Sequence, residues 1–216
     1  LERVKRRFAF IASPLSRKQK GVTRKPQRLS KAEIVDLQRQ LAQWQDPQSM
    51  AELAKPVSSI IFFNQSGLAF LRDAYIASEF AVARKASRVR LTNDIWPDFE
   101  LSIGADVEAF EAVEADDPNR RRGLEYSEEA IGRVEHDPVE NWIARAEAAP
   151  RWIAAACAKK AAKNYVGRAN LVIYLNMSEY GIRHKEVKAS FASATASVRG
   201  RFDTIWILWQ GQAYRV

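Results

Sequence analysis

The chain reads as an α/β protein: a mixed β-sheet of about five strands flanked by helices, behind a basic N-terminal arm. Three observations predict this class. Strand candidates cluster within residues 88–115, two later apolar runs have the continuous character of strands covered on both faces, and stretches of helical periodicity separate them. Strands grouped first and then alternating with helices imply a mixed sheet with helices on both of its faces.

Taken in order, Ser30 and Glu33 form a capping-box pattern ahead of Ile34, Leu37, Leu41 and Trp44, which predicts a short amphipathic helix ending near "QDPQS". A second helix is predicted from about Ser66 to Ala86, where Leu68, Leu71, Tyr75, Ser78 and Val82 recur at helical spacing. Three strands follow, "RVRLT" (88–92), "DFELSI" (98–103) and "VEAFEAVEA" (107–115), and then the polar, Arg-rich loop "DDPNRRRGLEYSEEA". A long helical region from about Glu140 to Tyr165 contains Pro150, which is expected to kink or split it. "NLVIYLNM" (170–177) reads as a buried strand. Val187, Phe191, Ala194 and Val198 predict a helix from about Lys185 to Arg201, and "TIWILW" (204–209) is a closing strand. The last two strands, joined through a helix, are expected to run parallel with a right-handed crossover. The organisation is therefore a basic arm (1–29), a helical N-terminal extension (30–65) and a core domain (66–216).

Composition narrows the classes. With 216 residues, 47% hydrophobic and 28% charged, the chain has the values of a globular domain able to bury a core without staples. Cys157 stands alone and His136 and His184 are the only histidines, which excludes an intramolecular disulfide and a Cys-based zinc cluster and argues against a His-rich metal site. A reducing, cytoplasmic setting is the simplest expectation. No apolar run approaches the ~18 residues of a membrane span. "RVKRRFAFIASPLS" imitates a secretory leader, but no small-residue cleavage pattern follows, so none is expected. None of the GxSxG, HExxH or GxxxxGK[ST] patterns occurs.

The net charge of +8 is unevenly placed. Residues 1–30 hold ten basic side chains, Arg17, Lys18 and Lys20 among them, and one acid, so the rest of the chain is close to neutral. A basic arm suits an anionic polymer, because each Lys or Arg that meets a phosphate releases condensed counterions; the plainer explanation is a solubilising tail.

The opposite extreme lies in "WPDFELSIGADVEAFEAVEAD" (96–116), which reads as a hairpin yet carries Asp98, Glu100, Asp106, Glu108, Glu111, Glu114 and Asp116 with no Lys or Arg. Acids are poor strand formers, and like charges facing each other across strands repel. Phe110 falls on the acidic side of the alternation, so the third strand is expected to be covered on both faces or bulged there. A Mg²⁺ ion between enclosed carboxylates would remove their repulsion, since hard cations prefer oxygen ligands, and it could then activate water at a phosphodiester.

Pro97-Asp98, followed on the next strand by Glu114-Ala115-Asp116, resembles the signature of the PD-(D/E)XK nuclease superfamily, whose restriction-endonuclease-like fold also matches the element order from about residue 66 to the C-terminus. The resemblance implies a Mg²⁺- or Mn²⁺-dependent nuclease hydrolysing DNA. Carried over, Asp98 and Glu114 are the metal ligands, with Glu111 an alternative to Glu114, and Glu79 matches a first-helix acid found in many members. Where the motif asks for Lys, this chain has Asp116. In some members that Lys comes from the neighbouring helix, where Lys159, Lys160 and Lys163 are available; Lys160 and Asp116 would then stand near the attacking water. Arg120, Arg121, Arg122 and Lys163 would grip phosphates alongside the arm. Enzymes that cut both strands often pair, which leaves a homodimer open.

Each feature has a plainer explanation: an ion pair for Glu79, neutralisation of the acidic hairpin for the arginines, and the helix dipole for the lysines. The alternative function is an inactive nuclease-fold protein serving as a nucleic-acid-binding or assembly module. A structural protein whose acidic hairpin docks a basic partner is a third. If the arm acts as read, deleting residues 1–29 is expected to weaken nucleic-acid binding and flatten its dependence on salt in a fluorescence titration; unchanged affinity would make the arm a mere solubiliser.

Overall fold

The computed structural model describes residues 28–92, 96–121, 125, 137–165, 169–178 and 181–216. Arg17, Lys18 and Lys20 of the arm, and Arg122, lie outside the described residues.

A mixed, open sheet of six strands organises the chain, one more than the sequence predicts, in the order β1 to β6 from edge to edge. β1 (Arg88–Leu91), β2 (Phe99–Ile103) and β3 (Asp106–Ala115) form an antiparallel meander. β4 (Asn170–Leu175) runs parallel to β3, and β5 (Ile205–Trp209) parallel to β4. The additional strand, β6 (Gln212–Arg215), turns back on β5. Gln210 and Gly211 both have positive φ, 51° and 70°, the backbone a two-residue hairpin needs. With only four residues, half of them polar, β6 carries too little alternation to be read as a strand.

One layer of helices covers each face. On the first, α1 (Lys31–Leu41), α2 (Pro47–Leu53), α3 (Ser59–Asn64) and α4 (Ala69–Arg84) share a core with the sheet. Ser30 and Glu33 close the expected capping box on α1. Leu37, Leu41, Met50 and Ile61 from the N-terminal helices are buried in the same cluster as Leu71, Ile76 and Phe80 of α4, so the 30–65 stretch is packed into the core rather than held apart from it. Gln45 exchanges backbone hydrogen bonds with Val89 (3.1 and 2.8 Å), which covers part of the otherwise open edge of β1.

The second face is covered by α5 (Val139–Ala161), α6 (His184–Ala189), α7 (Phe191–Ala194) and a 3₁₀ turn at Ala196–Val198. α5 continues through Pro150 as a single element: Ala149 and Ile153, on either side of the proline, are fully buried, and this packing offsets the backbone hydrogen bond that Pro cannot make. The single helix expected over 185–201 is broken into short pieces. Ser190, Ser193 and Thr195 turn their hydroxyls onto the carbonyls of Val187, Ser190 and Phe191, a competition with the helical ladder that disfavours a long helix. Cys157 is buried in this layer, where burial pushes its thiol up to about 11.

β3 meets β2 in unbroken register from Ile103↔Asp106 to Phe99↔Phe110, without a bulge, and Phe110, Glu111 and Ala112 are all buried. Of the two explanations for Phe110, cover on both faces is the one observed. Phe110 stacks on Phe99 (5.2 Å between centroids) and meets the edge of Phe80 from α4 (5.1 Å). This trio joins the first helical layer to the meander. Phe80→Ala is expected to lower unfolding free energy by about 3–5 kcal/mol in denaturant titrations, whereas Val82→Ala, at an exposed position of the same helix, should change it by less than about 0.5 kcal/mol.

Candidate functional site

The sheet forks at the start of β2. Pro97, which follows a cis Trp96–Pro97 bond, has no N–H to offer a neighbouring strand, and β2 pairs with β3 only up to the level of Phe110. Beyond that level β3 runs on beside β4 alone. Asp98 stands at the fork. Its N–H donates to the Phe110 carbonyl (3.0 Å), and its Oδ2 accepts from the Ala112 N–H (2.8 Å), so the side chain takes over a bond the missing strand would have made.

The ladder ends at Phe99↔Phe110, and just past it Asp98 and Glu111 both approach the Lys160 ammonium. Phe99 and Phe110 face α4, so both acids face α5. Two carboxylates so close repel. Lys160, in the last turn of α5, answers that charge: its ammonium pairs with Glu111 Oε1 and lies 3.8 Å from Asp98 Oδ2. The Tyr165 hydroxyl donates to the same Glu111 Oε1 (3.1 Å). Glu111 is 1% exposed, and its other oxygen, Oε2, is buried without a donor. Burial pushes the Glu111 carboxyl upward against the opposing pull of Lys160, and burial together with Glu111 holds the Tyr165 phenol protonated.

A third acid approaches from the other layer. Asp73 on α4 is pushed up to about 6, first by burial and then by the charge of Asp98. Arg72 and Lys160 work against that rise. Asp73 shares helical spacing with Ile76, Ala77 and Phe80, all buried, and this was the available signal: an acid on the apolar face of a core helix. The family resemblance points to Glu79 instead. Glu79 lies six residues on, about 9 Å along the helix axis, beside Tyr75. Tyr165, in the loop after α5, carried no sequence signal of any kind.

The expected Asp98–Glu114 pair is not the one the register makes. Glu114 is three residues from Glu111, about 10 Å along the strand, and faces the α4 side. There it accepts from Asn176 Nδ2 (2.7 Å) and lies 3.8 Å from Arg72. Asp116 lies beyond the end of β3, five residues from Glu111, and pairs with Arg120 (3.4 Å). Arg120 also pairs with Glu125 (2.8 Å), and Arg121 is exposed. Lys163, 60% exposed, reaches only 4.0 Å from Glu111. Of the expected residues, then, the structure brings together Asp98, Lys160 and Glu111, the alternative to Glu114, and adds Tyr165 and Asp73.

Of the remaining hairpin acids two are neutralised singly, and Asp106 is exposed at the start of β3. Glu100 pairs with Arg90 (2.7 Å) and Glu108 with Arg84 (3.2 Å). Among the described residues no group of three or more His, Cys, Asp and Glu side chains stands ready to hold a metal, and no helix is long and apolar enough to cross a membrane. A groove of about 1750 Å³ borders the site at the C-terminal ends of β3 and β4, lined by Arg72, Asp73, Glu114, Asp116, Lys160 and Asn176 among others. Comparisons with protein-family models, curated proteins and solved structures find no match to this chain.

Because the folded protein holds the Asp73 proton more tightly than the unfolded chain does, this residue favours folding at low pH. That contribution is lost as pH rises from about 4 to about 6, and is absent above. Metal-free Asp73→Asn should therefore be more stable than the parent near neutral pH, by up to about 3 kcal/mol, with the gap closing near pH 4 in parallel urea titrations. A constant difference across that range would contradict the raised Asp73.

Proposed function

We propose that the chain is a restriction-endonuclease-like protein of the PD-(D/E)XK type that hydrolyses DNA phosphodiester bonds with Mg²⁺. The observation that carries this reading is the convergence of Asp98 and Glu111 on Lys160 where the β2–β3 ladder ends, with a buried Glu111 oxygen left without a donor. Meander, parallel β4 and β5, and helices on both faces are compatible with that fold.

The donor set suits a hard cation: carboxylate oxygens, one of them buried without a donor, with Asp73 and Lys160 on the wall of an open groove. Asp98 and Glu111 would hold it, with Asp73 facing them from α4. Bound there, Mg²⁺ would lower the pKa of a water ligand and offset charge on the phosphate. Lys160, released from part of its pairing with Glu111, would hold the attacking water by hydrogen bonding. Supplied from α5, it takes the role of the Lys that the strand lacks, where Val113 stands two residues after Glu111. The basic arm would add affinity for DNA without regard to sequence.

A specific observation favours a second reading, a nuclease-fold protein that binds nucleic acid without cutting it. Lys160 already lies against both acids, and one oxygen of Asp98 is spent on Ala112. Cleavage of supercoiled DNA in Mg²⁺ separates the two. Asp98→Asn and Glu111→Gln are each expected to reduce cleavage by about 10²-fold or more while DNA binding persists, and Glu114→Gln should stay within a few fold of the parent. Steeply salt-dependent binding by a parent protein that never nicks DNA would establish the second reading.

A further inference from the structure

The two oxygens of Glu111 have different surroundings. Oε1 takes the Lys160 ammonium and the Tyr165 hydroxyl, whereas Oε2 has no donor although the residue is buried. An ionised carboxylate offers about four lone-pair sites, so this split leaves one oxygen available to a ligand while the other is held fast. Lys160 alone does not determine which oxygen is which, because an ammonium on a flexible stem serves either equally well.

Tyr165 can make that choice. It lies four residues past the end of α5, where no regular element holds it, yet its ring stacks on Trp96 (4.0 Å between centroids, 28° between planes) and meets Phe202 edge-on (5.7 Å). Trp96 directly precedes Pro97-Asp98. The phenol is thus clamped to the segment that delivers Asp98 while its hydroxyl grips Glu111, linking the two acids through one rigid side chain. We infer that Tyr165 is a positioning residue, whose hydroxyl fixes the rotation of the Glu111 carboxylate so that Oε2 is the oxygen presented to a bound cation.

The inference rests on the reading of Asp98 and Glu111 as cation ligands. Its test is the affinity of the full chain for Mn²⁺ by titration calorimetry, set against the metal-free thermal midpoint. Tyr165→Phe keeps the stack on Trp96 and removes only the hydroxyl. It should weaken Mn²⁺ binding by about 10- to 100-fold, the usual effect of losing a group that orients a ligand, while leaving the midpoint within about 2 °C of the parent. Tyr165→Ala should weaken binding at least as much and also lower the midpoint. If the parent binds Mn²⁺ and Tyr165→Phe binds it equally well, Tyr165 merely packs and the inference fails alone. If the parent binds no Mn²⁺, the inference falls together with the cation site beneath it.

Discussion

The ion pair between Glu111 and Lys160 is the constraint around which the rest of the site is arranged. Both residues are buried, at 1% and 8% exposure, and taking two charges out of water costs several kcal/mol each before their attraction is counted. A pair so placed is poor evidence for stability, since apolar replacements of similar volume are often neutral or better. Here the pair draws in Asp98, Asp73 and Tyr165, from the residue just before β2, from α4 and from the loop after α5, so that three separate segments converge on one strand position. Removing either partner leaves an uncompensated buried charge.

The fork follows from simple backbone accounting. Pro97 cannot extend the ladder, β2 stops short, and the N–H of Ala112 takes the Asp98 side chain as its acceptor. An acid is the side chain suited to this task, and the task fixes its direction. The crowding of negative charge in the hairpin then has two different solutions. Glu100 and Glu108 each meet one arginine at a half-exposed position, pairs of modest worth. Glu111 and Asp98 share one buried lysine, and this unequal ratio of two acids to one cation, with an oxygen to spare, sets their corner apart from an ordinary neutralised surface. On the proposed reading, a divalent ion supplies the missing charge.

Much of the fold was legible because its signals were local. The Ser30–Glu33 capping box, the alternation of "DFELSI" and the apolar runs at β4 and β5 each predict an element that is present. What escaped depends on context: β6 needs the positive φ of Gln210 and Gly211, and the broken helix after His184 needs three hydroxyls to choose carbonyls over solvent. The site shows the same division. Asp98 and Lys160 were named from motif and neighbourhood, but strand register decides between Glu111 and Glu114, and a sequence leaves register open wherever acids recur at both parities. Asp73 stands out as an acid on the apolar face of α4, whereas the family resemblance points to Glu79. Tyr165 owes its place to Trp96, about seventy residues earlier, and no spacing rule reaches that far.

The central claim is that Glu111, not Glu114, completes the pair with Asp98, and that a divalent cation can share their charge with Lys160. Anomalous diffraction from crystals soaked in Mn²⁺ tests it most directly. The account predicts a peak bounded by Asp98 and Glu111 Oε2, with the Lys160 ammonium drawn away from Glu111. A peak at Glu114 on the opposite side of the sheet, or a Lys160 pair left intact with no peak beside it, would contradict the account.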